Sequence, residues 1–526
     1  MKTGSLFSLL LALFLAACGS STVEIPLSPG ESVWGGQIKM GSQMPYTPGF
    51  EASLDDNLSN QVAPLLLTSN GRYVWSEDPF SFKITDKSII ISGASSKIVT
   101  EKAGETLKDA FAAASKLFFP ADGNMPPEEF FRIPQYNTWI ELLYDQNQEG
   151  VLTYARGIID HGLPPGIIMI DDTWQEDYGK WLFHPGKFPD PKAMIDQLHK
   201  MGFKVMLWVC PFVSMDQYLI CREIMSFKGF LMTGASSWED AWQPYPVRWW
   251  NGTSAVLDFS NPQSVEWFES QLHRLMDEYG VDGFKFDAAD FIFYPSDALA
   301  KGGDVPGYEQ CDLFVQMAQK YPYNELRAGW RNAGRAVVNR LHDKAHSWDD
   351  LVKLIPEMMA ESLMGFSFCC PDMVGGGSFE TFLSGDTDQD LIVRSAQIHA
   401  LMPMIQFSLA PWRVLDEAHY AAILKAVQLR ESKLPVIEQL YKRASMTGEP
   451  IVAPMEYSFP NQGLANVKDQ FMLGDSILVA PMVAPGTSRE VILPQGRWRA
   501  EDGKEYEAGT YTFEVPIDKL LYFEKI

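Results

Sequence analysis

Apolar and polar positions follow three different rhythms along the chain. From Ile25 to about Thr100 short alternating segments such as GRYVWSEDPFSFKI and SIIISG are broken by turn residues, which predicts an all-β region. A helix is predicted from Glu105 to Leu117, and the Pro-rich FFPADGNMPPEEFFRIP forms a connector. From Gln135 the rhythm becomes strand, helix, strand. GIIMIDD, KVMLWVCP, AVLDF, FKFD, NELRAGW and GFSFCCPD read as strands, with helices at Lys192–Met201, Pro262–Tyr279 and Trp348–Met364 among them. Repeated strand-helix units of this length predict a parallel (β/α)8 TIM barrel, since no glycine-rich phosphate turn follows the first strand to suggest a doubly wound sheet. After about Leu434 short strands return in PIVAPMEYSF, DQFMLGDSILVAPMV, REVILP, GTYTFEV and KLLYFEKI. The expected architecture is thus an N-terminal β-sandwich domain over 25–130, the barrel over 131–433 and a C-terminal β domain over 434–526.

Within the barrel, Val281–Asp290 (VDGFKFDAAD) is the most informative stretch. Val265, Phe268, Leu272, Leu275 and Tyr279 recur at helical spacing before it, with Asn261-Pro262 as the start signal and Gly280 as the stop. In the strand that follows, Phe284 and Phe286 point one way and Lys285 and Asp287 the other. A cation and a carboxylate therefore share one face at a strand's C-terminal end, where barrel enzymes hold their chemistry.

Composition adds little to this except by exclusion. The 526 residues are 46% apolar, 13% aromatic and 21% charged, as in ordinary globular proteins. A net charge of -24 disfavours a nucleic-acid partner, and none is expected; 15 tryptophans supply flat faces suited to stacking on sugars. Residues 1–17 read as an export signal: Lys2, an apolar run from Leu6 to Leu15, then Leu15-Ala16-Ala17-Cys18. No later stretch is long and apolar enough to span a membrane. Cys210, Cys221, Cys311, Cys369 and Cys370 form no CxxC pair and no dense disulfide framework, and Cys369-Cys370 reads as buried strand.

Acidic strand ends suggest carboxylate chemistry. Retaining glycoside hydrolysis needs an ionised carboxylate as nucleophile and a protonated carboxyl as acid on either side of a sugar bond. Asp287 suits the first role, with Lys285 favouring its charged form if the two are close. Asp343, Asp349 and Asp350 are candidates for the second, and spacing alone does not choose among them. The latter two open an apparent helix, which leaves Asp343 in the loop before it. A metal site is the rival reading, because His342 and His346, four apart, would share a helix face; no glutamate or third ligand completes it, and neither metal nor cofactor is expected.

FKFDAAD, the segment from LRAGW to SWDDL, SFCCPDMVGG, and GEPIVAPMEYSFP with DQFMLGDSILVAPMV together resemble glycoside hydrolase family 31 over nearly the whole mature chain. IDD at Asp171-Asp172, VRWWNG at Val247–Gly252 and MPMIQFSLAPW at Met402–Trp412 are most similar to the branch containing the myogenesis-regulating glycosidase and its bacterial α-galactosidase-like relatives. The resemblance implies Asp287 as nucleophile and Asp343 as acid/base, the family's usual Trp-x-Gly-Asp being Arg340-Leu341-His342-Asp343 here. It further implies that Arg327, Asp372 and Asp171 bind the sugar, and that Asp172 and Trp250 accommodate an axial hydroxyl. Where α-glucosidases of the family carry Arg-Asn-His, this chain has Gln406-Phe407-Ser408. Residues 1–17 resemble a bacterial lipoprotein signal, which implies a lipidated Cys18, a tether over 18–24 and a location on the outer side of a bacterial membrane, held only by the lipid. The expectation is an exported, retaining exo-α-glycosidase acting on an oligosaccharide or glycoside, an α-galactosidase before an α-glucosidase or α-xylosidase. A non-catalytic carbohydrate-binding protein is the alternative of another class.

Overall fold

A computed structural model describes residues 22–55, 59–233, 243–303, 305–383 and 387–526. The export signal and Cys18 lie outside the described residues. The tether expected to reach 24 stops sooner, because Val23–Pro26 is already a strand paired with Ser88–Ile91.

The N-terminal region is two four-stranded antiparallel sheets. One contains Val23–Pro26, Ser88–Ser92, Ser81–Ile84 and Glu51–Ser53; the other contains Val33–Gln37, Val62–Thr68, Arg72–Trp75 and Val99–Lys102. Their alternating apolar residues, among them Leu66, Val74, Phe82 and Ile89, are buried in one core continuous with that of the barrel. The predicted helix after them runs Leu107–Phe118 and starts at a reciprocal cap between Thr106 and Asp109.

Eight parallel strands follow: β1 (Gln135–Asn137), β2 (Ile167–Ile170), β3 (Lys204–Val209), β4 (Gly283–Phe286), β5 (Tyr323–Leu326), β6 (Asn339–Arg340), β7 (Cys369–Cys370) and β8 (Gln406–Phe407). They hydrogen-bond in the order β7-β6-β5-β4-β3-β2-β1-β8, and Val374 N donating to Gln406 O (2.8 Å) bridges the remaining gap. The barrel is thus nearly closed. β4 starts where expected, because Asn261 caps Pro262–Tyr279 and Gly280, at φ +83°, ends it. Phe284 and Phe286 pack outward on Tyr321, while Lys285 lies in register with Trp208 of β3 and Glu325 of β5 on the inner face.

Two expectations need correction. AVLDF is not a barrel strand: Gly252–Val256 pairs antiparallel with Pro246–Trp249 and Phe212–Ser214 in a separate three-stranded sheet beside the barrel mouth. The missing strands are β1, β6 and β8, of two or three residues each, too short to show a period of two. The boundary expected at 433/434 falls inside the helix Glu417–Thr447, which continues through Pro435. A proline there looks like a stop, yet tertiary packing of Ile437, Leu440 and Tyr441 carries the helix on to Gly448.

The C-terminal strands form a six-stranded sheet and a two-stranded one around a smaller core that includes Met472, Leu478, Trp498 and Phe523. Arg394 of the helix Gln389–Ala400 joins this region to the barrel by donating to the carbonyls of Val515, Pro516 and Lys519. On the opposite side, Asn60 and Gln61 reach the barrel. Asn60 N donates to Asp290 (2.6 Å), and Gln61 Nε2 donates to Arg340 O (3.2 Å). No helix among the described residues is long and apolar enough to cross a membrane.

Candidate active site

The strand C-termini surround a cavity of about 320 Å³ lined by Asp171, Asp172, Trp250, Lys285, Asp287, Arg327, Arg340 and Asp343, with Trp139, Tyr144, Trp208 and Phe379 among its aromatic walls. Seven of the eight candidate catalytic and sugar-binding residues therefore meet in one place. Two of the sharp turns that aim them use non-glycine residues at positive φ: Thr173 (72°) after Asp171-Asp172, and Ala288 (58°) after Asp287. Such strained backbone persists where surrounding structure holds it, here at the ends of β2 and β4.

Asp287 is held on both oxygens. Trp208 Nε1 donates to Oδ2 (2.7 Å) and Ala288 N to Oδ1 (2.9 Å), while Arg327 Nε lies 3.7 Å from Oδ1. Arg327 is itself fixed by Asp290 (3.0 Å), and its guanidinium lies 5.1 Å from the Trp250 ring. Asp290 therefore positions Arg327 and ties it to Asn60, without lining the cavity. Lys285 does not take the partner expected for it. Its Nζ bonds Asp171 Oδ2 at 2.7 Å, a buried pair across β2 and β4.

Asp172 turns into the protein and is buried. It accepts from Gln175 (3.2 Å), from the hydroxyl of Tyr178 (3.1 Å), from Asn251 Nδ2 (2.6 Å) and from Thr173 N (2.7 Å). Burial pushes its carboxyl up to about 7, aided by the charge of Asp171, against the pull of these donors. Trp250 is 44% exposed and stands at the mouth as a wall, outside any core.

Asp343 extends into the same cavity from the loop after β6. Arg340 Nη1 donates to Asp343 Oδ1 (2.8 Å) and to Asp372 Oδ1 (2.9 Å), so two carboxylates share one guanidinium nitrogen. Burial opposes ionisation of both. Arg340, Arg327 and Lys285 outweigh it at Asp343 and hold that carboxyl low, whereas burial and the charge of Asp343 push Asp372 up. The two titrate as a pair with one step below and one above the ordinary carboxylate range. Asp372, expected to touch the sugar, does not line the cavity: it is wholly buried and also accepts from Lys344 N (2.6 Å) and Gly377 N (2.8 Å). It braces Arg340 and the two loops instead.

Below the cavity lies a buried polar ladder. Arg340 Nε is 3.3 Å from Glu325, and Glu325 accepts from Gln406 Nε2 (2.7 Å), which also donates to Gln135 (2.9 Å). Gln406, Phe407 and Ser408 are buried and do not line the cavity. Arg340, Glu325, Trp208, Tyr178 and Asn251 were not expected from the sequence as site residues. Trp208 alone carried a usable signal, because alternation along KVMLWV puts it on the face that ends the strand inward.

His342 and His346 do not share a helix face. Both lie in the loop before Trp348–Leu363, His342 Nε2 3.0 Å from Glu357 and His346 with its ring nitrogens on Gly375 O (2.9 Å) and Asp388 N (3.0 Å). Among the described residues no group of three or more potential ligands is placed to hold a metal ion. The five described cysteines are free thiols, four of them buried.

Comparison with known proteins bears on this site. Residues 124–440 match the family description "Glycosyl hydrolases family 31 TIM-barrel domain", and 448–525 match "Glycosyl hydrolase family 31 C-terminal domain". The chain is 32% identical to the mouse myogenesis-regulating glycosidase over 433 residues, covering 77% of this chain and 58% of that protein. It is 26% identical to alpha-glucosidase 2 of Bacillus thermoamyloliquefaciens, covering 80% and 55%. The chain thus spans little more than half the length of these relatives. Among solved structures, a family 31 dextranase from Flavobacterium johnsoniae complexed with glucose superposes with a TM-score of 0.82 at 18% identity, covering 97% of this chain and 67% of that one. A family 31 alpha-xylosidase from a soil metagenome, complexed with xylose, does so at 0.80 and 20% identity, covering 98% and 81%.

Proposed function

The chain belongs to glycoside hydrolase family 31, and from that premise we propose that it is a retaining exo-α-glycosidase that releases terminal α-galactose. The observation that carries the reading is the fixation of Asp287. Trp208 N–H and the nearby Arg327 guanidinium keep one carboxylate oriented into a cavity that Asp343 also lines. Asp287 attacks the anomeric carbon and the bond to the leaving oxygen breaks, that oxygen taking the proton of Asp343. Asp343, now a base, then removes a proton from water, which displaces Asp287 and restores the original anomeric configuration. A cavity of about 320 Å³ floored by buried Lys285, Glu325, Arg340 and Gln406 supports exo action on a terminal sugar.

Preference for galactose rests on the wall around Asp172. Asp172, braced from behind by Tyr178 and Asn251, lines the cavity beside the exposed Trp250, so one side of the ring meets a carboxyl and an aromatic face. The burial of Gln406-Phe407-Ser408 agrees with this, because no side chain there can make the contact that the matching histidine makes in the family's α-glucosidases. A panel of 4-nitrophenyl α-galactoside, α-glucoside and α-xyloside, with the first product anomer followed by NMR, tests the reading. Turnover of the galactoside with initial release of the α-anomer is expected; good glucoside turnover without galactoside turnover, or initial inversion, overturns it. Asp287→Ala is expected to lower kcat by at least about 10⁴-fold. Unchanged hydrolysis in that variant would remove Asp287 as nucleophile and leave the non-catalytic carbohydrate-binding reading.

The proposal extends to location. With Lys2, the Leu6–Leu15 run and Cys18, the protein is exported and held to a bacterial membrane by a lipid on Cys18. Cys18→Ser is expected to move it from the membrane to the soluble fraction, and equal membrane retention would contradict the anchor.

A further inference from the structure

Asp343 sits in a loop with no regular structure between β6, ending at Arg340, and the helix starting at Trp348. Its side chain is 32% exposed and has one side-chain partner, Arg340. What keeps that backbone in place is beneath it. His342 and Lys344, the residues on either side, both turn away from the cavity onto one buried carboxylate. Glu357 Oε2 lies 3.0 Å from His342 Nε2 and 2.8 Å from Lys344 Nζ. Lys344 Nζ also donates to His342 O (3.0 Å), which closes a small ring under the loop. In extended chain, neighbours that point down oblige the residue between them to point up. Glu357 stands nine residues into the helix Trp348–Leu363, and the N-terminal segment Ile38–Gln43 is pressed against it, Gly41 lying so close that a methyl group there would stand 2.6 Å from Glu357 Cα.

We infer that Glu357 is the positioning residue of the acid/base loop, acting through His342 and Lys344 to aim Asp343 at the leaving oxygen; this rests on the reading of Asp343 as acid/base. Glu357 touches no substrate and lines no part of the cavity. Burial opposes its charge and the Lys344 ammonium restores it, while burial and Lys344 hold His342 below its ordinary value, so the clamp is an ion pair to Lys344 with a close imidazole contact on the other side. Glu361, one turn further along the helix, is buried too, but the close contacts to His342 and Lys344 are made by Glu357.

The role predicts a loss that depends on the leaving group. A 4-nitrophenolate departs with little help from an acid, whereas the hydroxyl of a second sugar must be protonated as it leaves. The test compares kcat/KM, which reports the glycosylation step, for the 4-nitrophenyl glycoside and for a disaccharide of the same non-reducing sugar. Measurements are made on the full chain for wild type, Glu357→Gln, His342→Gln and Asp343→Ala, with thermal melting of each. Glu357→Gln is expected to lower the disaccharide-to-aryl ratio by about 10-fold or more, and His342→Gln by less, the full effect of the acid being about 10²–10⁴-fold. An unchanged ratio in Glu357→Gln, whatever happens to overall activity or melting, overturns the inference. If that variant does not fold, an unchanged ratio in His342→Gln, whose side chain is partly exposed, does the same. Failure of the underlying reading looks different: in that case Asp343→Ala itself leaves the ratio unchanged.

Discussion

Arg340 carries more of the site's electrostatics than any other single residue. It contacts Asp343, Asp372 and Glu325, and the burial of Asp372 and Glu325 leaves those two no water to do the same work. Its charge favours the ionised pair Asp343/Asp372, yet an acid must hold a proton when the leaving oxygen departs. The upper step of the pair therefore sets the alkaline limb of kcat/KM: below it the two carboxyls hold one proton between them, and as pH rises through it none remains for Asp343 to deliver and activity falls. Removing the cation raises both steps, so Arg340→Gln is expected to move that limb to higher pH by about 1–3 units, the usual influence of an adjacent arginine on an aspartate. A pH–rate profile of the free enzyme checks it; an unmoved limb would separate Arg340 from the acid. The same variant leaves Glu325 buried without its cation, and melting should report a loss of about 3–5 kcal/mol. Asp172 illustrates the opposite case: with its carboxyl near 7, proton uptake at mildly acidic pH turns an acceptor into a donor, so KM for the galactoside is expected to change across pH 6–8 in wild type and to lose that dependence in Asp172→Asn.

Among the elements, the loops after β6 and β7 act as one unit. Gly377 follows Asp372 and lies against both carboxylates, where an added methyl would stand 2.8 Å from Asp372 Oδ1 and 3.0 Å from Asp343 Oδ1. Its carbonyl accepts from Trp139 Nε1 (3.1 Å), and the loop cannot retreat without losing that wall of the cavity. Gly377→Ala is expected to shift Asp343 by a few tenths of an ångström or more and to lower kcat/KM by about 10–100-fold, with melting nearly unchanged. An active variant with wild-type kinetics would show that the acid tolerates displacement. The strand ends differ in kind from the loops: β2 and β4 place Asp171 and Asp287 by register alone, and the positive φ at Thr173 and Ala288 turns the chain away immediately after them.

Across the whole molecule, both flanking regions brace the barrel. The N-terminal sheets reach Arg327 and Arg340 through Asn60 and Gln61, so a domain remote from the chemistry holds two of its cations. The C-terminal domain is fastened by Arg394, whose guanidinium satisfies three carbonyls at once. Arg394→Ala is expected to destabilise the protein by about 2–4 kcal/mol, because it removes charged hydrogen bonds and leaves buried carbonyls unpaired. KM should stay at its wild-type value, since nothing in that interface lines the cavity. Thermal melting beside steady-state kinetics separates the two effects, and a shifted KM would show that the domain shapes the mouth.

Barrel architecture, the helix from Pro262 to Tyr279 and the inward placement of Lys285 and Asp287 were legible from the sequence, because long periodic segments and a capped helix before a strand are local signals. Asp171, Asp172, Trp250, Arg327 and Asp343 were legible as candidates, through strand ends or through resemblance, and all line the cavity. Partnership was not. Lys285 was expected to partner Asp287 on its own strand, and the register of β2, β3 and β4 gave it Asp171 instead. Asp372 looked like a sugar ligand until tertiary packing closed Gly377 and Lys344 over it. The roles of Asn251 and Glu357 had no local signal, since one sits in a hairpin turn beside the barrel and the other inside a helix known only by its extent. A linear pattern determines which way a side chain points from its own element; which charge it meets there depends on elements more than a hundred residues away, and only the closed barrel brings those within hydrogen-bond reach.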